Sequence, residues 1–351
     1  MIDRLQVLLR DEPDLAGRLL ALRAFARRVR TREYHLTNAC NLRCKGCWFF
    51  AYDFDERTRE ARSPESWRLF AKEQAAQGTT AALLIGGEPA LYPDRVAAFV
   101  EAMEFVTISS NGLRALPRAG FERVAIALSL FGGGPLDDAL RAVRPSGRPF
   151  SGLFDTVLAN YRDDPRAHFI YAITPDAPEH IEPTVRRIHD NGNRVTFNYY
   201  SPYGAGPRDP VAQDAEQRLL DEALRVREAY PETVGVTPLY LRTIVTGRTH
   251  WAAWSYDVCP SVSRSHPAHA QRLANGHPVL PHFDAYAADQ STVNFCCASG
   301  ECGECRDSQA MFSWLLVSLP HFLESTAQLA EWIELAESYW RQFVWSPYRD
   351  A

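Results

Sequence analysis

Long apolar runs are missing from this 351-residue chain. The longest, around residues 311–319, is about half of the ~20 residues that a membrane-spanning helix requires. The N-terminus, MIDRLQVLLRDEPDLAGRLLALRAFARRVR, has acidic residues early and no uninterrupted apolar core, which excludes a secretory signal. No lipidation motif stands at either end. An excess of positive charge is missing too. With 38 Lys and Arg against 43 Asp and Glu, the formal net charge is -5, so no chain-wide basic surface is available for nucleic-acid backbones. Repeats and low-complexity tracts are absent. Cysteine is missing from the whole interior. Cys40, Cys44 and Cys47 form one group, and Cys259, Cys296, Cys297, Cys302 and Cys305 form a second, with none between. Two tight groups at opposite ends do not suit a disulfide framework. These absences lead us to expect a cytoplasmic protein, with no membrane or nucleic-acid partner, whose reduced thiols bind metal or carry redox chemistry.

What is present is the composition of a folded protein, 46% hydrophobic and 23% charged, with a length of about two domains. Residues 14–30 alternate Leu, Ala and Arg at helical spacing. A short strand is predicted over 33–37, just before the first cysteines. Helices and strands then alternate. Helices are expected at 64–77 (with Ser63 as N-cap and Pro64 at the first position), 94–102, 153–161 and 181–190. Strands are expected at 80–85, 105–109, 124–130, 168–174 and 195–200. Alternation of this kind implies a parallel sheet with right-handed crossovers. About six strand–helix units precede residue 205, fewer than the eight of a closed barrel. The expected fold is α/β, a partial (β/α)6 TIM-like barrel over 33–205. An N-terminal helix occupies 1–32, and a cysteine-containing C-terminal extension occupies 206–351. In that extension a charged helix is predicted over 210–230, loops over 255–300, and an aromatic helical segment over 311–335 interrupted by Pro320.

Cys40-Asn-Leu-Arg-Cys44-Lys-Gly-Cys47 is a C-x3-C-x2-C group on one tight loop. Three thiolates are one short of a closed tetrahedral or four-iron site. A cube of iron and sulfide held by them keeps one iron open for a non-protein ligand. The alternative is a structural zinc whose fourth ligand, such as His35, comes from elsewhere. Leu84-Ile-Gly86-Gly87-Glu88-Pro89 ends the second strand. Its glycines permit close backbone approach, and its carbonyls and carboxylate can accept hydrogen bonds from an ammonium group.

The cysteine group followed by Gly86-Gly87-Glu88-Pro89 resembles the radical S-adenosylmethionine (SAM) enzymes. The resemblance covers about residues 33–205 and implies a [4Fe–4S] cluster on Cys40, Cys44 and Cys47. In that family SAM chelates the open iron, is cleaved reductively, and yields a 5′-deoxyadenosyl radical that abstracts hydrogen. The resemblance also makes Gly86, Gly87, Glu88 and Pro89 the binding site for the SAM amino group. Ser109-Ser110-Asn111-Gly112 is similar to the family's T-N-G turn, with Ser110 in place of threonine, which adds Ser110 and Asn111. Ser129 matches a family serine, although Leu130-Phe131-Gly132 lacks the acidic residue that usually follows. In the run Asp138…Arg141…Arg144…Arg148, Arg144 or Arg148 is the expected clamp on the SAM carboxylate. Asn198 and Tyr200 end the sixth strand, where the family contacts adenine. Gly46 stands where an aromatic residue is common, with Trp48 following.

The second group holds enough thiolates, Cys259, Cys302, Cys305 and one of Cys296 or Cys297, for a second [4Fe–4S] cluster or a structural zinc. Adjacent residues on an extended segment point to opposite sides, so one of Cys296 and Cys297 is left over. Relatives with SPASM or twitch extensions carry auxiliary clusters in this part of the chain. His266, His269, His277 and His282 are alternative ligands. The resemblance implies hydrogen abstraction from a small molecule or short peptide, with electrons from a flavodoxin- or ferredoxin-type reductant. A ribosomal-peptide maturase, a non-catalytic iron–sulfur or zinc protein, and an RNA-modifying enzyme are the alternatives.

Overall fold

The computed structural model describes residues 1–200, 213–247, 284–294 and 306–344. Six strands, β1 (Thr31–Thr37), β2 (Ala81–Gly86), β3 (Phe105–Ser110), β4 (Val124–Leu130), β5 (Ala167–Ile173) and β6 (Arg194–Tyr199), lie side by side in chain order. Every neighbouring pair is parallel. A crossover carries each strand to the next, so the sheet curls in one direction. It does not close. β6 is one edge, and on the other side β1 pairs in parallel with β7 (Ala285–Tyr286), which pairs antiparallel with β8 (Val293–Asn294). The partial α/β barrel is therefore as expected. β7, a two-residue strand from a segment read as loop, was not expected: two residues carry no legible alternation.

Strand alternation divides the sheet into two faces. Tyr34, Leu36, Leu84, Ile108, Ile126, Leu128, Phe169 and Phe197 point outward and are almost completely buried under helices. Helix Pro64–Ala76 begins at the expected cap, where Ser63 Oγ accepts the Ser66 N–H at 3.4 Å, and it buries Trp67, Phe70 and Ala71. Helix Ile181–Asp190 buries Ile181, Val185 and Ile188 in the same layer. The inner face carries smaller and more polar side chains: Glu33, His35, Thr107, Ser109, Ser129, Thr196 and Asn198. This distribution leaves a concavity inside the curl.

The C-terminal segments belong to the same hydrophobic core. Helix Pro238–Thr246 stacks Tyr240 on Phe312 of helix Ser308–Val317 at a 4.2 Å ring separation, and Phe312 meets Tyr339 of helix Thr326–Val344 edge-on. Trp340 packs edge-on against Phe25 of helix Pro13–Arg28, and Phe25 against Phe105 at the start of β3. The aromatic segment read as one interrupted helix is two helices joined by a 3₁₀ turn at Leu319–Phe322, where Pro320 removes a backbone donor. Cys259, Cys296, Cys297, Cys302 and Cys305 lie outside the described residues, as do His266, His269, His277 and His282. Among the described residues no helix is long and apolar enough to cross a membrane.

Candidate active site

The three N-terminal cysteines sit on the loop leaving β1, each partly buried. The loop is fixed from three sides. At its start, Glu60 accepts hydrogen bonds from Thr37 Oγ1 and the Asn38 N–H, and pairs with the buried Arg95. Arg95 also donates to Leu36 O, and the Asn38 amide donates to the carbonyls of Asp55 and Thr58. Along its length, the N–H groups of Arg43 and Lys45 donate to the carbonyls of Val143 and Leu140, both at 2.8 Å. From β2, Gly87 N–H donates to Thr37 O at 2.8 Å and Glu88 N–H to Ala39 O at 2.9 Å.

The paired glycines thus have a local cause. A Cβ on Gly87 would stand 2.1 Å from Ala39 O, and one on Gly86 would stand 2.6 Å from Thr37 O. The close approach they permit is to the start of the cysteine loop itself. Glu88 is 1% exposed and its carboxylate is fully engaged within the chain. It accepts from Ala90 N–H at 2.9 Å, Ser110 Oγ at 2.8 Å and Asn111 N–H at 2.7 Å. Burial pushes its pKa up, and these three bonds pull it back. Pro89 opens the buried 3₁₀ turn Pro89–Leu91. Ser110 is also buried and serves Glu88 and the Gly112 N–H. Asn111 reaches the loop: its amide donates to Asn41 Oδ1 at 2.7 Å and stands 3.8 Å from Cys40 Sγ.

Opposite this bracket lies a residue the sequence reading passed over. Arg141, 1% exposed, ends helix Gly134–Arg141 and pairs with the fully buried Asp137 one turn earlier, at 3.2 Å. It donates to Ser129 O, and its carbonyl lies 4.0 Å from Cys44 Sγ. Burial works against its charge, but Asp137 and the Cys44 sulfur outweigh burial and hold its pKa above the ordinary value. Its Nε and Nη2 have no hydrogen-bond partner among the described residues. Asp137 and Arg141 at i, i+4 were the available signal. Arg144, one of the two arginines expected to clamp, stacks on Phe150 at 4.1 Å, and its N–H pairs with the carbonyl of the other, Arg148. Asp138 caps the next helix through the N–H groups of Gly152 and Leu153.

Ser129 is half-buried on the inner face, and among the described residues its hydroxyl makes no hydrogen bond. Tyr200 meets Phe131 edge-on at 5.1 Å and points its hydroxyl at Lys45 O, 3.4 Å away, beside the cysteine loop. Asn198 lies deeper, its amide oxygen taken by Tyr240 Oη at 3.2 Å and Gln342 Nε2 at 3.4 Å. Trp48 packs with Phe49 and Phe54 around His35.

A sequence profile described as the Radical SAM superfamily matches residues 34–210, half of the chain. The chain belongs to the radical SAM superfamily. Among curated proteins, none matches it. Among solved structures, anSMEcpe with bound AdoMet and Cp18Cys peptide is similar over 90% of this chain and 88% of its own, at TM-score 0.50 and 11% identity. The AdoMet-bound form of anSMEcpe aligns over 57% of this chain and 60% of its own, at TM-score 0.44 and 12% identity. SuiB of Streptococcus suis bound to S-adenosylmethionine aligns over 58% of this chain, at TM-score 0.42 and 19% identity. The chain spans 47% of SuiB's length.

The residues present fit the cofactors of a radical SAM enzyme. The three sulfurs are near enough to feel one another's charge, yet no three ligand side chains among the described residues converge on one ion position. A four-iron cube uses each thiolate on a separate iron, so convergence on a single point is not needed. Burial pushes the Cys40 thiol up to about 12 and raises Cys44 and Cys47, and metal binding removes those protons. The free donors of Arg141 beside Cys44 suit the carboxylate of SAM.

Proposed function

We propose that this radical SAM enzyme cleaves SAM reductively and abstracts hydrogen from an unactivated C–H bond of a short peptide or small molecule. When bound, the [4Fe–4S] cluster supplies the electron that splits SAM into methionine and a 5′-deoxyadenosyl radical. The chain's own residues do the rest. Cys40, Cys44 and Cys47 hold the metal. Glu88, Ser110 and Asn111 keep the ends of β2 and β3 locked to the loop. Arg141 presents two unpaired donors to a carboxylate, fixed by Asp137 and the Ser129 carbonyl. That buried, half-satisfied guanidinium beside Cys44 is the single observation that carries the reading. A structural metal loop needs no such donor.

Anaerobic reconstitution with iron and sulfide, followed by dithionite and SAM, tests it. 5′-Deoxyadenosine is expected, and Cys44→Ala should abolish it. Full cluster occupancy without product would reject the enzyme reading. The five C-terminal cysteines support, by spacing alone, an auxiliary [4Fe–4S] cluster that takes up the substrate electron. Iron near eight per chain is expected for two such clusters, and a count near four with one zinc would refute the second. A flavodoxin- or ferredoxin-type protein is the expected reductant. For the substrate, anSMEcpe, similar in fold, holds the Cp18Cys peptide, which supports a peptide. Consumption of a peptide encoded beside this chain's gene is the direct test.

A further inference from the structure

The inner face of the barrel holds one carboxylate at mid-depth, and nothing described above uses it. Glu33 is in register with Leu83 on β2 and Ala285 on β7, and it is 9% exposed. Leu83, Ser109, Ser129, Ile170 and Asn198 on the same face are partly exposed, while His35, Ile85, Thr107, Ala125 and Ala127 around them are buried, so the concavity narrows towards the level of Glu33. The other buried or largely buried carboxylates are satisfied. Glu88 accepts three hydrogen bonds, Glu60 pairs with Arg95, Asp137 with Arg141 and Asp164 with Arg166. Glu33 is different. Among the described residues its carboxylate makes no hydrogen bond and meets no Lys or Arg. Its nearest ionisable neighbour is His35 Nε2, 3.7 Å away. On β1–β6 the inner face holds no Lys or Arg except Arg194, at the exposed foot of β6. Its one ionic partner among the described residues is therefore an imidazole 3.7 Å away, which is a cation only when protonated, so the carboxylate can take a further cationic group.

We infer that Glu33 anchors the substrate by receiving a cationic nitrogen, an ammonium or guanidinium group. This rests on the proposal that the mouth of the barrel is where hydrogen is abstracted. Four residues of strand, about 13 Å, separate Glu33 from Thr37, where the cysteine loop begins. The anchored nitrogen and the loop thus bracket a substrate of amino-acid to short-peptide length, held by its charge at mid-depth with its C–H bonds towards the loop.

The test uses the anaerobically reconstituted full chain, with agmatine as cationic probe and 1,5-pentanediol as uncharged control. Two results are expected. Glu33→Gln should melt at a higher temperature than the parent without ligand, because a neutral amide is easier to bury. Agmatine should bind the parent about tenfold more tightly than Glu33→Gln, the value of one charge-assisted contact, while pentanediol binds neither. Glu33→Asp, which keeps the charge, should retain agmatine binding if the Gln variant does not fold. Lower melting of folded Glu33→Gln, equal agmatine binding by parent and variant, or no agmatine binding by the parent would each overturn the inference. 5′-Deoxyadenosine formation by the parent is scored separately. Its absence would strike the catalytic reading without altering the binding result.

Discussion

Glu88 shows how a residue can match a sequence motif and act through other residues. As a motif, Gly-Gly-Glu-Pro suggests a carboxylate offered to a ligand's amino group. In the structure that carboxylate faces Ala90, Ser110 and Asn111 and ties the ends of two strands to the cysteine loop. Glu88→Gln replaces an acceptor-only group with one that must aim N–H at another donor. A loss of about 1–3 kcal/mol in urea unfolding is expected, with lower iron retention after reconstitution. Unchanged stability would show that the bracket is dispensable. His168, on the inner face of β5 and 4% exposed, makes a prediction about pH. Burial, opposed only in part by a hydrogen bond to the Gln342 backbone carbonyl, pulls its pKa down to about 4. Above pH 6.5 the imidazole is neutral in both states and has no effect. As pH falls below 6.5 the unfolded chain takes the proton first, so stability is lost progressively down to pH 4. The total loss is about 3 kcal/mol. Comparing urea unfolding of the parent and His168→Gln from pH 7 to pH 4.5 checks this: the variant should lose less on the acid side.

At the scale of elements, the strands and the principal helices of the barrel were legible because their signals are local and repeated. The 124–130 strand and the 181–190 helix match the structure residue for residue, since one is a continuous apolar run and the other a strongly amphipathic turn pattern. Helix Gly134–Arg141 was missed. It is short, it opens on glycine and proline, and its two buried side chains are charged, so no apolar stripe marks it. Missing that helix is why Arg141 was passed over in favour of the next arginine along. The cysteine motif was legible because spacing alone identifies it. The Glu60–Arg95 brace was not, since its partners lie 35 residues apart. The strand-end glycines supply the prediction at this scale. Gly87→Ala forces Ala39 to move, because the new Cβ would stand 2.1 Å from its carbonyl oxygen. Loss of cluster binding, read as iron content and visible absorbance, is expected. Gly17→Ala is the contrast. It lies in helix Pro13–Arg28 with nothing within 4 Å of a Cβ, and should gain about 0.5–1 kcal/mol of helix stability.

Across the whole molecule, the joining of helix Pro13–Arg28 to helix Thr326–Val344 was the least legible feature. Helical periodicity shows which face of each helix is apolar but not what that face meets. Phe25 and Trp340 are more than 300 residues apart in sequence, yet their rings are 5.6 Å apart. Phe105 then links them to the start of β3. The cysteine loop and the candidate site lie at the opposite, C-terminal ends of the strands, so this aromatic contact supports the barrel from below without touching them. Two pairs joining the same helices should therefore differ sharply in worth. Arg18 and Glu337 make a two-pronged contact at 2.8 and 3.0 Å, but Arg18 keeps 44% of its side chain in solvent. A double-mutant cycle on that pair should return no more than about 1 kcal/mol, and less at high salt. Trp340 is 7% exposed. Trp340→Ala removes a large ring from between Phe25 and Tyr339, and the cavity left behind should cost about 3–5 kcal/mol. If the last helix is an integral wall of the barrel, that loss appears as a shift of the single unfolding transition that also releases the cluster. If the ring serves only its own helix, an early, separate transition will appear while iron stays bound, and the view that the C-terminal helices share the barrel's core fails.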